Sequence, residues 1–173
     1  MSVSEEMRLQ FIKRLKRDLQ KVSYPQPFCA KLYPETNCLA YVIGVKSPDY
    51  AKGRYFPGGL SGATYFLIPE LIIPRFKSDL YRLGISCKQI EESEARKKTS
   101  DGVQIIAIFY SEIEKDFHVI RKDKEGGWSH KLGYELPPKK MNYHYEKVIN
   151  STYELVAYLQ LTFKQDKEKR SAI

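Results

Sequence analysis

The stretch from Val103 to Leu132 most constrains what this chain can become. Val103 to Tyr110 is an apolar run, Phe117 to Arg121 is a second, and Trp128 to Leu132 is a third. Between the last two stands Lys122-Asp123-Lys124-Glu125-Gly126-Gly127, whose paired glycines allow a tight reversal. Short apolar runs joined by such turns predict consecutive antiparallel strands. Further on, Leu155, Ala157, Leu159, Leu161 and Phe163 alternate along Tyr153 to Phe163, predicting a closing strand with one apolar face.

The first half reads as helix and loop. Leu9, Ile12, Leu15 and Leu19 recur at helical spacing, predicting an amphipathic helix over residues 5 to 21 with Ser4 as N-cap. Pro25 and Pro27 then break the chain. Thr36 or Asn37 can cap a short helix that starts at Cys38 and stops near Gly44. Residues 46 to 63 carry Pro48, Gly53, Pro57, Gly58, Gly59 and Gly62 and read as a long loop. A second long helix is expected from Ile68 or Pro69 to Leu83, broken or kinked at Pro74 and ended by Gly84. Residues 85 to 90 suggest a short strand, and Glu91 to Gly102 a charged turn. Helices first and antiparallel strands later make the fold class α+β.

A chain of 173 residues fits one domain and can bury a core without disulfides. The expected organisation is an N-terminal amphipathic helix over 1–24 appended to a domain over 25–163, followed by a charged tail over 164–173. Twenty-nine basic against twenty-one acidic residues give +8, spread along the chain rather than gathered on one stripe. That charge suits anionic surroundings, but a solubilising surface accounts for it as well, so nucleic acid and membrane are not expected partners. Three cysteines, Cys29, Cys38 and Cys87, form no CxxC pair, which argues against a disulfide framework and against structural zinc. No cofactor and no metal are expected. Met1 to Leu19 lacks the apolar run of a signal peptide, so a cytoplasmic location, or export without a standard signal, is expected.

One constellation carries chemistry. A cysteine at a helix N-terminus faces unpaired amides and the positive end of the helix dipole, which favour the thiolate. Cys38 has that expected position. A base must come from elsewhere, and the histidines are His118, His130 and His144. His118 and His130 flank the predicted hairpin turn, so they can lie side by side on one face of paired strands. His118 can then serve as base and His130 as the group that orients it. Asp116 and Asp123 are the alternative orienters, with Asp123 displaced into the turn. His130 can equally be a strand histidine bonding backbone, and His144 reads as a loop residue. Cys29 and Cys87 read as small buried residues, and Trp128 as a core or cleft-wall residue. Tyr33 could lend a hydroxyl to an oxyanion site. The glycines from Tyr55 to Gly62 lack the Lys-Ser/Thr ending of a phosphate loop; they could border the cleft.

The segments Asn37-Cys38-Leu39-Ala40-Tyr41, Asp116-Phe117-His118-Val119-Ile120 and Trp128-Ser129-His130-Lys131 occur in a telling order. A helix-borne Cys, a strand His and a polar residue on the next strand together resemble papain-like peptidases, specifically the NlpC family of cell-wall peptidases. The chain is also similar, over roughly residues 33 to 133, to a group of poorly characterised bacterial proteins. These carry Asn-Cys-x-Ala-Tyr, then an aromatic-His-x-x-Arg strand and Trp-Ser-His-Lys-x-Gly. Asn37 and Phe117 stand where the NlpC pattern has small residues. The resemblance implies a papain-like fold and a Cys38-His118-His130 triad. It also implies cysteine peptidase or amidase activity on a peptide-like or protein substrate, peptidoglycan among them. Acyl transfer or deamidation on the same scaffold, and a non-catalytic basic binding domain, are the competing expectations.

Overall fold

The computed structural model describes residues 5–30, 36–45, 56–64, 68–133, 136–141 and 152–164. Ser4, Tyr33, His144, much of the 46–63 loop and the tail beyond Lys164 lie outside the described residues.

The element order is α1 (Glu5–Leu19), α2 (Cys38–Ile43), α3 (Pro69–Arg82), β1 (Ile85–Ile90), α4 (Glu92–Ala95), β2 (Val103–Ser111), β3 (Asp116–Lys122), β4 (Trp128–His130), β5 (Lys139–Lys140) and β6 (Glu154–Phe163). The six strands form one open sheet in the order β1-β6-β2-β3-β4-β5, and every pairing is antiparallel. The chain is thus α+β, with helices gathered mainly on one face.

Strand alternation sorts the core into two layers. On the first face, Ile106 and Ile108 of β2, Val119 of β3 and Leu159 and Leu161 of β6 pack against α1, α2 and α3. On the second, Ile105, Ala107 and Phe109 of β2 share a layer with Ile120 of β3, Tyr158 of β6 and Ala95 of α4. Helix α1 sends Ile12, Leu15 and Leu19 into the first layer and so belongs to the same core as the sheet. Leu9, expected on that face, is exposed.

Helix α2 is short, and both ends are fixed locally. The Asn37 side chain accepts a hydrogen bond from the Ala40 N–H at 2.9 Å, and Gly44 closes the helix at φ 88, where a Cβ would be strained. Six residues have too few internal bonds to hold themselves. All six side chains of α2 are buried, so tertiary packing keeps it.

Four expectations need correction. Helix α3 runs unbroken through Pro74; buried Ile72, Phe76 and Leu80 on both sides of the proline hold it in one piece against the core. The charged segment after β1 contains the one-turn helix α4, anchored by buried Ala95. The third strand of the hairpin stops at His130 rather than Leu132, and a two-residue strand, β5, follows. Cys29 and Cys87 are half-buried, leaving Cys38 as the buried cysteine; Cys87 lies on the edge strand β1, where one side of the sheet ends.

The glycine segment around 58–62 is tied to α3 by Asp79, whose carboxylate accepts from the backbone N–H groups of Gly58 at 2.7 Å and Ser61 at 2.9 Å. Its described residues therefore form a turn whose backbone N–H groups are taken by a carboxylate of α3.

Candidate active site

The geometry follows from the uneven lengths of β3 and β4. Strand β4 pairs only with Ile120 to Lys122, so the first half of β3 has no β4 neighbour. Helix α2 covers that half, and the Cys38 sulfur accepts a hydrogen bond from the Val119 backbone N–H. The N–H groups of Cys38 and Leu39 also lie close enough to favour a negative sulfur. The thiol thus sits at the peptide that joins His118 to Val119.

His118 and Val119 point to opposite faces of β3. Val119 joins Cys38 in the helix-side layer. His118 lies with Ile120, across from Phe109 of the second layer. His130 pairs with Ile120 and shares that face. The two histidines are diagonal neighbours, and His118 Nε2 lies 3.2 Å from His130 Nδ1. Their rings meet edge-on, with centroids 5.3 Å apart. The structure therefore brings His118 and His130 into direct contact, but it does not pair the Cys38 sulfur with the His118 ring: the sulfur meets the β3 backbone beside His118, whose ring lies on the other face.

The alternative orienters are occupied elsewhere. Asp116 Oδ2 accepts from the Tyr153 hydroxyl at 3.1 Å. Asp123 Oδ1 accepts from Arg121 Nε at 3.1 Å and from Ser129 Oγ at 2.7 Å. Trp128 is partly buried against the second layer, as a core residue would be.

Electrostatics depart from the expected activated thiolate. Cys38 is 7% exposed, and burial pushes its thiol up to about 12, with the Asp116 carboxylate adding to the rise. The amide hydrogen bonds offset only part of this. A helix dipole supplies about 1 kcal/mol, whereas a rise of that size corresponds to about 4 kcal/mol, so burial wins. His118 is 3% exposed, and burial, reinforced by His130, pushes its imidazole down to about 3. His130 is lowered too, by burial first and Lys139 second. At neutral pH the resting site is a neutral thiol beside two neutral imidazoles, not a thiolate–imidazolium pair.

Three neighbours escaped the sequence reading. Lys131 is fully buried, and its Nζ donates to the Gly133 carbonyl at 2.7 Å. Tyr153 bonds Asp116, and burial and that carboxylate hold its hydroxyl above the usual range. Arg121 is fully buried and clasps α2: Nη1 donates to the Tyr41 carbonyl at 3.2 Å, and the guanidinium lies 4.0 Å from the Tyr41 ring centroid. Lysine and arginine normally read as surface residues. For Arg121 the available signal was position: it falls an odd step from His118 along β3, which places it on the helix-side face.

No group of three or more His, Cys, Asp or Glu side chains suited to a metal ion occurs among the described residues. No helix among them is long and apolar enough to cross a membrane. The chain matches no family model, no curated protein and no solved structure.

Proposed function

We propose that this chain is a papain-like cysteine hydrolase that cleaves an amide bond, with Cys38 as nucleophile, His118 as base and His130 as the residue that orients the base. The observation that carries the reading is the His118–His130 contact, formed beside the one peptide N–H of β3 that holds the Cys38 sulfur. When His118 Nε2–H donates to His130 Nδ1, the other nitrogen of His118, Nδ1, keeps its lone pair. That tautomer is the one a general base requires.

Because thiol and imidazole rest neutral, proton transfer accompanies attack. For this step the His118 ring, set on the opposite face of β3 from the layer of Cys38, comes within reach of the sulfur; the S–H proton then moves to His118 Nδ1 as sulfur bonds the carbonyl carbon and the C=O electron pair moves to oxygen. Collapse of the tetrahedral species expels the amine, which takes the proton from the imidazolium, and leaves a thioester on Cys38. Water, deprotonated by His118, then releases the acid and restores the thiol. An amine in place of water would make the same intermediate a transferase. The substrate is peptide-like or a protein, with peptidoglycan peptides in that class.

A second reading draws on the deep burial of Cys38 and its thiol near 12: a basic binding domain in which these groups only pack. Incubation with peptidoglycan peptides and peptide amides, followed by intact-mass detection of an acyl group on Cys38, separates the two. The hydrolase reading expects turnover that Cys38→Ala and His118→Ala each abolish, with the double variant little worse than either. Undiminished turnover in Cys38→Ala refutes it.

A further inference from the structure

Strand β6 changes character along its length. Ala157, Tyr158, Leu159 and Leu161 are buried, as residues of an interior strand usually are, but Glu154, Leu155 and Val156 are exposed in succession. The registers explain the change. Strand β1 ends at Ile90, which pairs with Tyr158, so among the described residues no strand pairs with the β1 side of 154–157. On the other side, Phe109 of β2 pairs with Leu155 and Ile108 with Ala157, which makes Val156 the extra residue of a β-bulge. The result is an open edge four residues long, about 13 Å. Exposed edges are usually blunted by charge or proline. This one carries two apolar side chains, Leu155 at 43% and Val156 at 38% exposure, and Ile113, at 78%, stands in the nearby hairpin turn.

Charge is sorted around the same edge. The β2–β3 turn is fixed beside the start of β6 by Ser111 Oγ, which donates to Thr152 Oγ1 at 2.8 Å, and by the Tyr153 hydroxyl, which donates to Asp116. Residues 111–116 and 152–156 together carry Glu112, Glu114, Asp116 and Glu154 against the single cation Lys115, and Lys115 is tied to Glu112. A chain with eight excess positive charges thus keeps an acidic margin where its sheet is open.

We propose that the open edge of β6 over residues 154–157 takes up an extended, cationic peptide segment of another protein as an added strand. Main-chain hydrogen bonds along the edge supply the attachment, Leu155 and Val156 the apolar contact, and the carboxylates the preference for basic side chains. The surface goes beyond the hydrolase reading and does not depend on it. Strand β2 stands between this edge and β3, where the Cys38 sulfur is held.

The test is fluorescence anisotropy with short labelled peptides: one alternating Val and Lys, its Val–Glu counterpart, and two Val–Lys forms N-methylated on every Val or on every Lys. The Val–Lys peptide should bind and the Val–Glu peptide should not, with binding weakened by added salt. At least one N-methylated form should lose binding, because it lacks the amide protons that face the edge. Glu114→Lys and Glu154→Lys should each weaken binding about fivefold, the worth of an exposed ion pair, and Glu154→Gln should fall between; melting curves show that each variant is folded. Cys38→Ala should bind as wild type does. Equal binding of the Val–Lys and Val–Glu peptides, no binding of either, full binding of both N-methylated forms, or loss of binding in folded Cys38→Ala each overturns the proposal. Self-association that Glu154→Lys abolishes also overturns it, since the occupant is then a second copy of this chain.

Discussion

Two buried polar groups sit within a few residues of each other on β3, and they are built on opposite terms. At the C-terminal end, Arg121, Asp123, Ser129 and Tyr41 bond one another, although Asp123 Oδ2 stays buried without a partner. The guanidinium donates to Asp123, to the Tyr41 carbonyl and to the Pro27 carbonyl at 3.0 Å. The Tyr41 hydroxyl lies 2.6 Å from Ser129 Oγ. At the N-terminal end, Cys38, His118 and His130 share fewer bonds, and burial drives each to its neutral form. The first group pairs a guanidinium with a carboxylate, and Arg121 and Ser129 offset part of the rise that burial imposes on Asp123. The second gives up its charges. One end of the strand thus holds a hydrogen-bonded ion pair, and the other a cluster of neutral titratable groups.

The largest effect that can break this comparison comes from the clasp. Arg121→Ala strands the Asp123 carboxylate and the Tyr41 and Pro27 carbonyls, and should destabilise the fold by about 3–5 kcal/mol, measured by urea denaturation. A loss below about 1 kcal/mol, the range of exposed ion pairs, would show the clasp to be dispensable.

Next comes His118, through pH. Burial, then His130, hold its folded value down at about 3 against an ordinary 6.5. Between those values the unfolded chain binds the proton and the folded chain does not. The stability is therefore fully present above about pH 6.5 and falls as pH drops toward 3, by at most about 1.4 kcal/mol per pH unit. His118→Gln should flatten that slope in urea midpoints taken from pH 7 to pH 4. An identical slope in the variant would mean that His118 titrates normally and the two groups do not differ as described.

The smallest effect sharpens the boundary. Tyr41→Phe keeps the ring beneath Arg121 but removes the hydroxyl bonded to Ser129. It should cost about 1–2 kcal/mol in stability while leaving the Cys38 alkylation rate within twofold. A large change in that rate would show that the clasp and the site are one unit.

The sequence made the strands, α2 with its Asn37 cap and Gly44 stop, and the histidine contact legible, because alternation and capping are local and a glycine turn sets hairpin geometry. Three things were hidden by physics that no single segment carries. The Cys38 thiol was expected to be activated, but burial, set by α1, α3 and the sheet together, outweighs the dipole of so short a helix. Arg121 and Lys131 drew no structural role from the sequence, because the groups that bond them include Pro27, Tyr41 and Gly133, brought near by the fold or by irregular chain. Pro74 looked like a break because local propensity ignores the packing of Ile72 and Phe76 across it.

The placement of β6 between β1 and β2 has a consequence for how the chain comes into being on the ribosome. During synthesis, β1 and β2 are complete about sixty and about forty residues, respectively, before the strand that joins them. Until residues 154–163 emerge, both carry open edges facing a gap, while the hairpin of β2 and β3 already has its own neighbour. The nascent chain must therefore keep two unpaired β edges from meeting each other, or another chain, for the several seconds that translation of the intervening segment takes. Lys88 on β1 and the acidic residues of helix α4 that follow it are charges of the kind that discourage edge pairing.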